Sequence, residues 1–135
     1  MHWAILGNHS DLGIEAEDTA EIGIEFENKI IGSIHLNYTQ IPKKHTLEIV
    51  GTTGTIFWDY YQDSVLVHRL NDSREMFSEI FKSPEGFDRN DLFIDEMKNF
   101  IEVMKNKAEP ACSLQDGIAA LKLALEVLEI GKKTI

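Results

Sequence analysis

The stretch IIGSIHLNYTQIPKKHTLEIVGTTGTIFWDY, residues 30–60, decides the fold. Apolar and polar residues alternate on both sides of a loop that holds Pro42, the period of strands with one wet face. It reads as a strand, that loop, a second strand, a tight turn between Gly51 and Gly54, and a third strand. Leu47, Ile49, Ile56 and Trp58 share a face if the turn is centred on Thr52-Thr53. Threonines suit positive φ badly, so Gly51 and Gly54 are expected to take the unusual dihedrals. No helix follows this turn to supply an N-terminus, so it is not a phosphate cradle.

Upstream, residues 19–27 alternate as well. Ala20, Ile22, Ile24 and Phe26 face one way, and Thr19, Glu21, Glu25 and Glu27 the other. The glutamates read as a solvated face, not as paired catalytic carboxylates. The link to the next strand permits a register test. A two-residue loop would turn Ser33, His35 and Asn37 onto the apolar face. A three-residue loop, Glu27-Asn28-Lys29, instead pairs Phe26 with Ile30, Ile24 with Gly32 and Ile22 with Ile34. Only the second keeps Ile30, Ile34, Leu36 and Tyr38 on the apolar side, and it asks Lys29 to adopt positive φ. His35 then lies opposite Leu36 and reads as a surface histidine.

Ahead of these strands, Trp3, Ile5 and Leu6 suggest a short strand ending at Gly7, followed by the polar, turn-rich run NHSDLGIEAED. His9 and Asp11 lack the partners and spacing of a metal site. Beyond the core stretch, residues 65–70 form a further strand. In residues 71–88, Met76, Phe77, Ile80 and Phe81 have helical spacing over barely two turns, so this segment is expected to be a mobile excursion. Two helices close the chain. The first, capped by Asn90 or Asp91, carries Leu92, Phe93, Met97, Phe100, Ile101 and Met104 on its apolar face. The second opens on a Ser113–Asp116 capping box, buries Ile118, Leu121, Leu125 and Leu128, and ends at Gly131.

Length and composition fit one soluble α+β domain spanning residues 1–135, with 43% hydrophobic and 27% charged residues. The expected architecture is an open, predominantly antiparallel sheet with helices packed on one face. A net charge of −10 argues against nucleic acid and anionic membrane surfaces, which need a basic patch. No apolar run approaches the roughly 20 residues needed to cross a bilayer. The single cysteine, Cys112, permits no internal disulfide and points to a reducing cytoplasm; between Ala111 and a helix cap it reads as inert. Against this acidity, Lys43 and Lys44 beside Pro42 form a local positive spot suited to an anionic group. A solvated loop is the plainer reading of the same residues.

Three segments, EDTAEIGIEFENKIIGSIHLNY (17–38), LEIVGTTGTIFWDY (47–60) and FDRNDLFIDEMKNFIEVMKNKAEPACSLQDGIAALKLALEVLEIGKK (87–133), together resemble the C-terminal domain of the Gfo/Idh/MocA family of NAD(P)-dependent oxidoreductases. The resemblance implies the second domain of a glucose-fructose-oxidoreductase-like or dihydrodipicolinate-reductase-like architecture. It also implies a parent enzyme that moves hydride between NAD or NADP and a carbon bearing a hydroxyl on a sugar or polyol. Members of that family begin with a Rossmann domain carrying a glycine-rich fingerprint. No G-x-G-x-x-G occurs here, and Glu109-Pro110 lacks the lysine of the family's Glu-Lys-Pro motif. The expectation is therefore a second domain separated from its Rossmann partner, with no catalytic residue, no metal and no cofactor of its own, inactive alone. Tyr38, Gln40, Lys43 and Lys44 are the substrate-side candidates that the resemblance implies, with self-association through the sheet face. A stand-alone small-molecule binding module and a dimerising interaction domain are the alternatives.

Overall fold

The alternating segments become strands and the two capped segments become helices. The structure, a computed structural model, describes residues 2–133. Its elements run β1 (His2–Gly7), β2 (Thr19–Glu25), β3 (Ile31–Asn37), β4 (Thr46–Val50), β5 (Gly54–Asp59), β6 (Ser64–Leu70), β7 (Met76–Lys82), α1 (Arg89–Met104) and α2 (Leu114–Lys133). The strands pair antiparallel throughout, in two sets ordered β1-β2-β3 and β4-β5-β6-β7. This is the expected α+β, antiparallel class. The chain divides into two compact units: one of the two arms that end at Gln40 and begin at Glu102, the other of residues 41–101.

In the first unit the β2–β3 register is the one selected by the apolar pattern. Ile24 faces Gly32, Ile22 faces Ile34, and the Phe26 N–H donates to Ile30 O at 2.9 Å. Lys29 takes φ 64°, the left-handed conformation that a three-residue loop demands of its last residue. The core consists of Ala4 and Leu6 from β1, Ile22 from β2 and Val127 from α2, flanked by Ala20, Ile24, Leu123 and Ile130.

Burial settles the face of β1 and changes two expectations on α2. On β1 the buried residues are Ala4 and Leu6, whereas Trp3 and Ile5 stand half exposed on the opposite face. There the Trp3 indole occupies the space a Cβ at Gly23 would need. On α2 the packed residues are Leu123, Val127 and Ile130, while Ile118, Leu121, Leu125 and Leu128 stay exposed. Gly131 does not end this helix. It lies within it, where an added Cβ would come within 2.4 Å of the Leu6 side chain, so glycine sets the close approach of α2 to β1. The Ser113–Asp116 capping box forms as expected: Ser113 N–H donates to Asp116 Oδ2 at 2.9 Å and Asp116 N–H to Ser113 Oγ at 3.2 Å.

In the second unit Leu47 faces Trp58 and Ile49 faces Ile56, as the pattern requires. Gly51 and Gly54, however, keep ordinary φ; positive φ is confined to Gly13 and Gly86 among the described glycines. Gly54 is needed for space instead, since a Cβ there would lie 2.2 Å from the His68 carbonyl oxygen. Met76, Phe77, Ile80 and Phe81 form no helix. They belong to β7, which pairs with β6 from Leu70↔Met76 to Ser64↔Lys82. The cap of α1 is Asp88, not Asn90 or Asp91: its Oδ1 accepts the Asn90 N–H at 2.8 Å, and Asp91 Oδ2 answers by accepting the Asp88 N–H at 2.9 Å. No residue of α1 is buried, so its apolar stripe is exposed.

Candidate functional site

The β1–β2 loop and the exit of β3 meet around one carboxylate. Asp18 is 1% exposed, the most deeply buried charged residue among those described. Its Oδ1 accepts the His9 N–H at 2.9 Å and the Thr19 hydroxyl at 3.0 Å, while Oδ2 accepts the Ser10 N–H at 2.8 Å and the Ser10 hydroxyl. The His9 N–H, followed by the other donors, holds this carboxyl well below the usual carboxylate range, against the opposing effect of desolvation. The backbone of Asp18 joins both neighbouring strands, donating to Gly7 O and accepting from the Tyr38 N–H, each at 3.0 Å. Asn8 closes the rest of the loop by donating to Ile14 O and Ala16 O. A carboxylate so fully engaged is a structural buckle and a poor proton carrier.

Beside it, residues 17–20 and 36–38 line an open hollow of about 360 Å³ with Tyr38 at its rim, 73% exposed. A polar relay positions this edge. Glu21 pairs with His35 Nδ1, His35 Nε2 meets Asn37 Nδ2, and Asn37 Oδ1 accepts the Gln40 N–H at 2.8 Å. Because Oδ1 is taken by Gln40, the Asn37 amide presents its NH₂ to His35. The other ring nitrogen, Nδ1, faces Glu21. The alternation pattern marks His35 only as a surface residue; its pairing with Glu21 follows from the β2–β3 register, which places the two opposite each other.

Of the substrate-side candidates, Tyr38 and Gln40 thus share one ordered edge in the first unit. Lys43 and Lys44 open the second unit after a cis Ile41–Pro42 peptide, both exposed, ahead of β4. This set offers hydrogen bonds and positive charge, without a nucleophile–base pair. Among the described residues no three His, Cys, Asp or Glu side chains gather as a metal site, and no helix is long and apolar enough to cross a membrane. The turn at 51–54 joins two strands, so the strand–glycine loop–helix unit that receives a pyrophosphate is missing from the described residues.

The model of the oxidoreductase family's C-terminal alpha/beta domain, Gfo/Idh/MocA type, matches residues 6–129. The chain belongs to this family. Solved structures share the fold. The WlbA dehydrogenase from Bordetella pertussis, solved with NADH and UDP-GlcNAcA, is 18% identical with a TM-score of 0.70, over 99% of this chain and 36% of that one. An NAD-binding protein from Listeria innocua is 22% identical (TM-score 0.71; 98% and 39% covered). A super-repressor mutant of Gal80p from Saccharomyces cerevisiae is 11% identical (TM-score 0.71; 98% and 42% covered). The present chain therefore spans about two-fifths of the length of each. No curated protein sequence matches it.

Proposed function

We propose that this Gfo/Idh/MocA domain is the substrate-binding and self-associating half of a cytoplasmic oxidoreductase that transfers hydride between NAD or NADP and the hydroxyl-bearing carbon of a sugar or polyol. The observation that carries the reading is the family match over residues 6–129 in a chain whose described residues hold no dinucleotide loop. A second, dinucleotide-binding domain then supplies the cofactor site and the proton-transfer groups, and this chain alone is inactive. Tyr38 and Gln40 hydrogen-bond substrate hydroxyls, and Lys43 and Lys44 attract an acidic substituent. The open sheet face takes a second copy. A sugar acid is a reasonable substrate class, since UDP-GlcNAcA is bound by the WlbA dehydrogenase.

The test is a titration of the isolated chain with NADH and NADPH, followed by assays of this chain joined to a dinucleotide-binding domain. Neither cofactor should bind the chain alone at up to about 1 mM, and micromolar affinity would overturn the reading. In the two-domain protein, Lys43→Ala combined with Lys44→Ala should raise KM for an acidic sugar at least about tenfold with little change in kcat. Binding of a protein partner with no turnover of any sugar would favour an interaction domain instead, since a shared fold does not fix function.

A further inference from the structure

A second hollow, of about 640 Å³, lies wholly within the 41–101 unit and is built from residues that the proposed function leaves unused. His45 enters β4, Trp58 lies on β5, Tyr60 and Tyr61 follow it, Asp63 sits in the turn to β6, Ser83 follows β7, and Arg89 is the first residue of α1. The volume falls within the range of small-molecule sites.

Its walls supply three distinct kinds of contact. The first is aromatic. The His45 ring lies 4.9 Å from Trp58 and 5.4 Å from Tyr60, and Tyr61 meets Tyr60 edge-on at 5.2 Å. Tyr61 remains 55% exposed, with ring surface free for a ligand. The second is cationic. The Arg89 guanidinium is held 5.8 Å from the Tyr60 centroid and 6.0 Å from that of Phe93, and among the described residues no carboxylate lies within ion-pairing distance of it. In a chain with 23 acidic residues, a guanidinium stacked on rings with its donors unclaimed is set for an anion from outside. The third is an acceptor. Asp63 Oδ1 takes the Ser83 hydroxyl at 2.6 Å, and Oδ2 has no partner among the described residues. Arg89 and Asp63 are both exposed, so the guanidinium and the second carboxylate oxygen are open to a ligand as well as to water.

We propose that this hollow binds a hexose carrying one anionic group. The apolar face of the sugar ring lies against Tyr61 and His45, a ring hydroxyl donates to Asp63, and the carboxylate or phosphate pairs with Arg89. The site is independent of dinucleotide binding and of the Tyr38 edge, so its test needs no turnover.

Trp58 is the natural reporter, because the chain has two tryptophans and Trp3→Phe leaves it alone. The Trp3→Phe protein is titrated with glucuronate, glucose 6-phosphate, glucose and inorganic phosphate while Trp58 fluorescence is followed. A saturable change is expected with one or both anionic sugars, and which of them binds identifies the anion. Glucose and phosphate should bind at least about tenfold more weakly. Arg89→Gln should weaken the anionic sugar by at least about tenfold, with Arg89→Lys intermediate, whereas Arg69→Gln, which removes the same charge elsewhere in this unit, should change nothing. Circular dichroism confirms that each variant is folded. Equal affinity for glucose, an unaltered affinity in both Arg89 variants, or no saturable signal up to about 50 mM would overturn the proposal.

Discussion

At the scale of single residues, Asp18 shows how one side chain holds a loop. It takes hydrogen bonds from His9, Ser10 and Thr19 in near-complete burial, a coordination that only the ionised form can satisfy. Its folded-state pKa lies below the unfolded value, so its stabilisation is complete above the ordinary carboxylate range, about 3.8, and is withdrawn as pH falls below that range. Asp18→Asn should therefore lower the melting temperature at pH 7 by at least about 5 °C, with the gap to wild type closing as the solution is acidified. A constant gap from pH 7 to pH 3 in calorimetry would show that the charge is not what matters. Nothing in the polar run 8–18 marks Asp18 over Glu15 or Glu17, because a carboxylate's burial depends on which backbone N–H groups the loop turns inward. Lys29 was legible for the opposite reason. Two registers were available, and only one kept the apolar residues of both strands together.

Among the elements, α2 is the most instructive. Its sequence has leucines on more than one side, and periodicity selected Ile118, Leu121, Leu125 and Leu128, which the structure leaves exposed. The choice falls to the face with Gly131, because glycine there lets the helix backbone approach Leu6. Gly131→Ala gains up to about 1 kcal/mol of helix propensity but forces an overlap that typically costs about 1–3 kcal/mol, so denaturant unfolding should show a net loss. Gly117, in the same helix, has open space on all sides, with nothing within 4 Å of where a methyl group would sit. Gly117→Ala should stabilise by about 0.5–1 kcal/mol. Equal signs for the two variants would contradict the packing described. The strand β7 was hidden for a related reason. Every residue of it is exposed, so no buried face imprints a period of two on its sequence, and backbone pairing with β6 alone holds it extended. Capping boxes are local, and the one at Ser113 could be read directly; at α1 the true cap lay only one residue before the helix, in a run of polar residues that all qualify.

For the whole molecule, the family was legible in the order and spacing of three segments, while the aromatic hollow was not. Its contributors come from five separated places in the chain, and no spacing links His45 to Arg89. The structures that share its fold are more than twice as long. The division into units also bears on how the protein is made. Residues 41–101 pair strand with consecutive strand, so each contact is available as soon as its second partner has been synthesised. The other unit needs Leu6 and Val127 together, and these lie far apart in the sequence. Stalled nascent chains should thus show protease protection of residues 41–101 once these have left the ribosome, with β1 still cleavable until α2 emerges. Simultaneous protection of both regions would show that the units form together. Until α2 has emerged, the apolar side of β1 and β2 has no helix to cover it, which makes the newborn arm a natural client for chaperones that hold unfinished sheets apart.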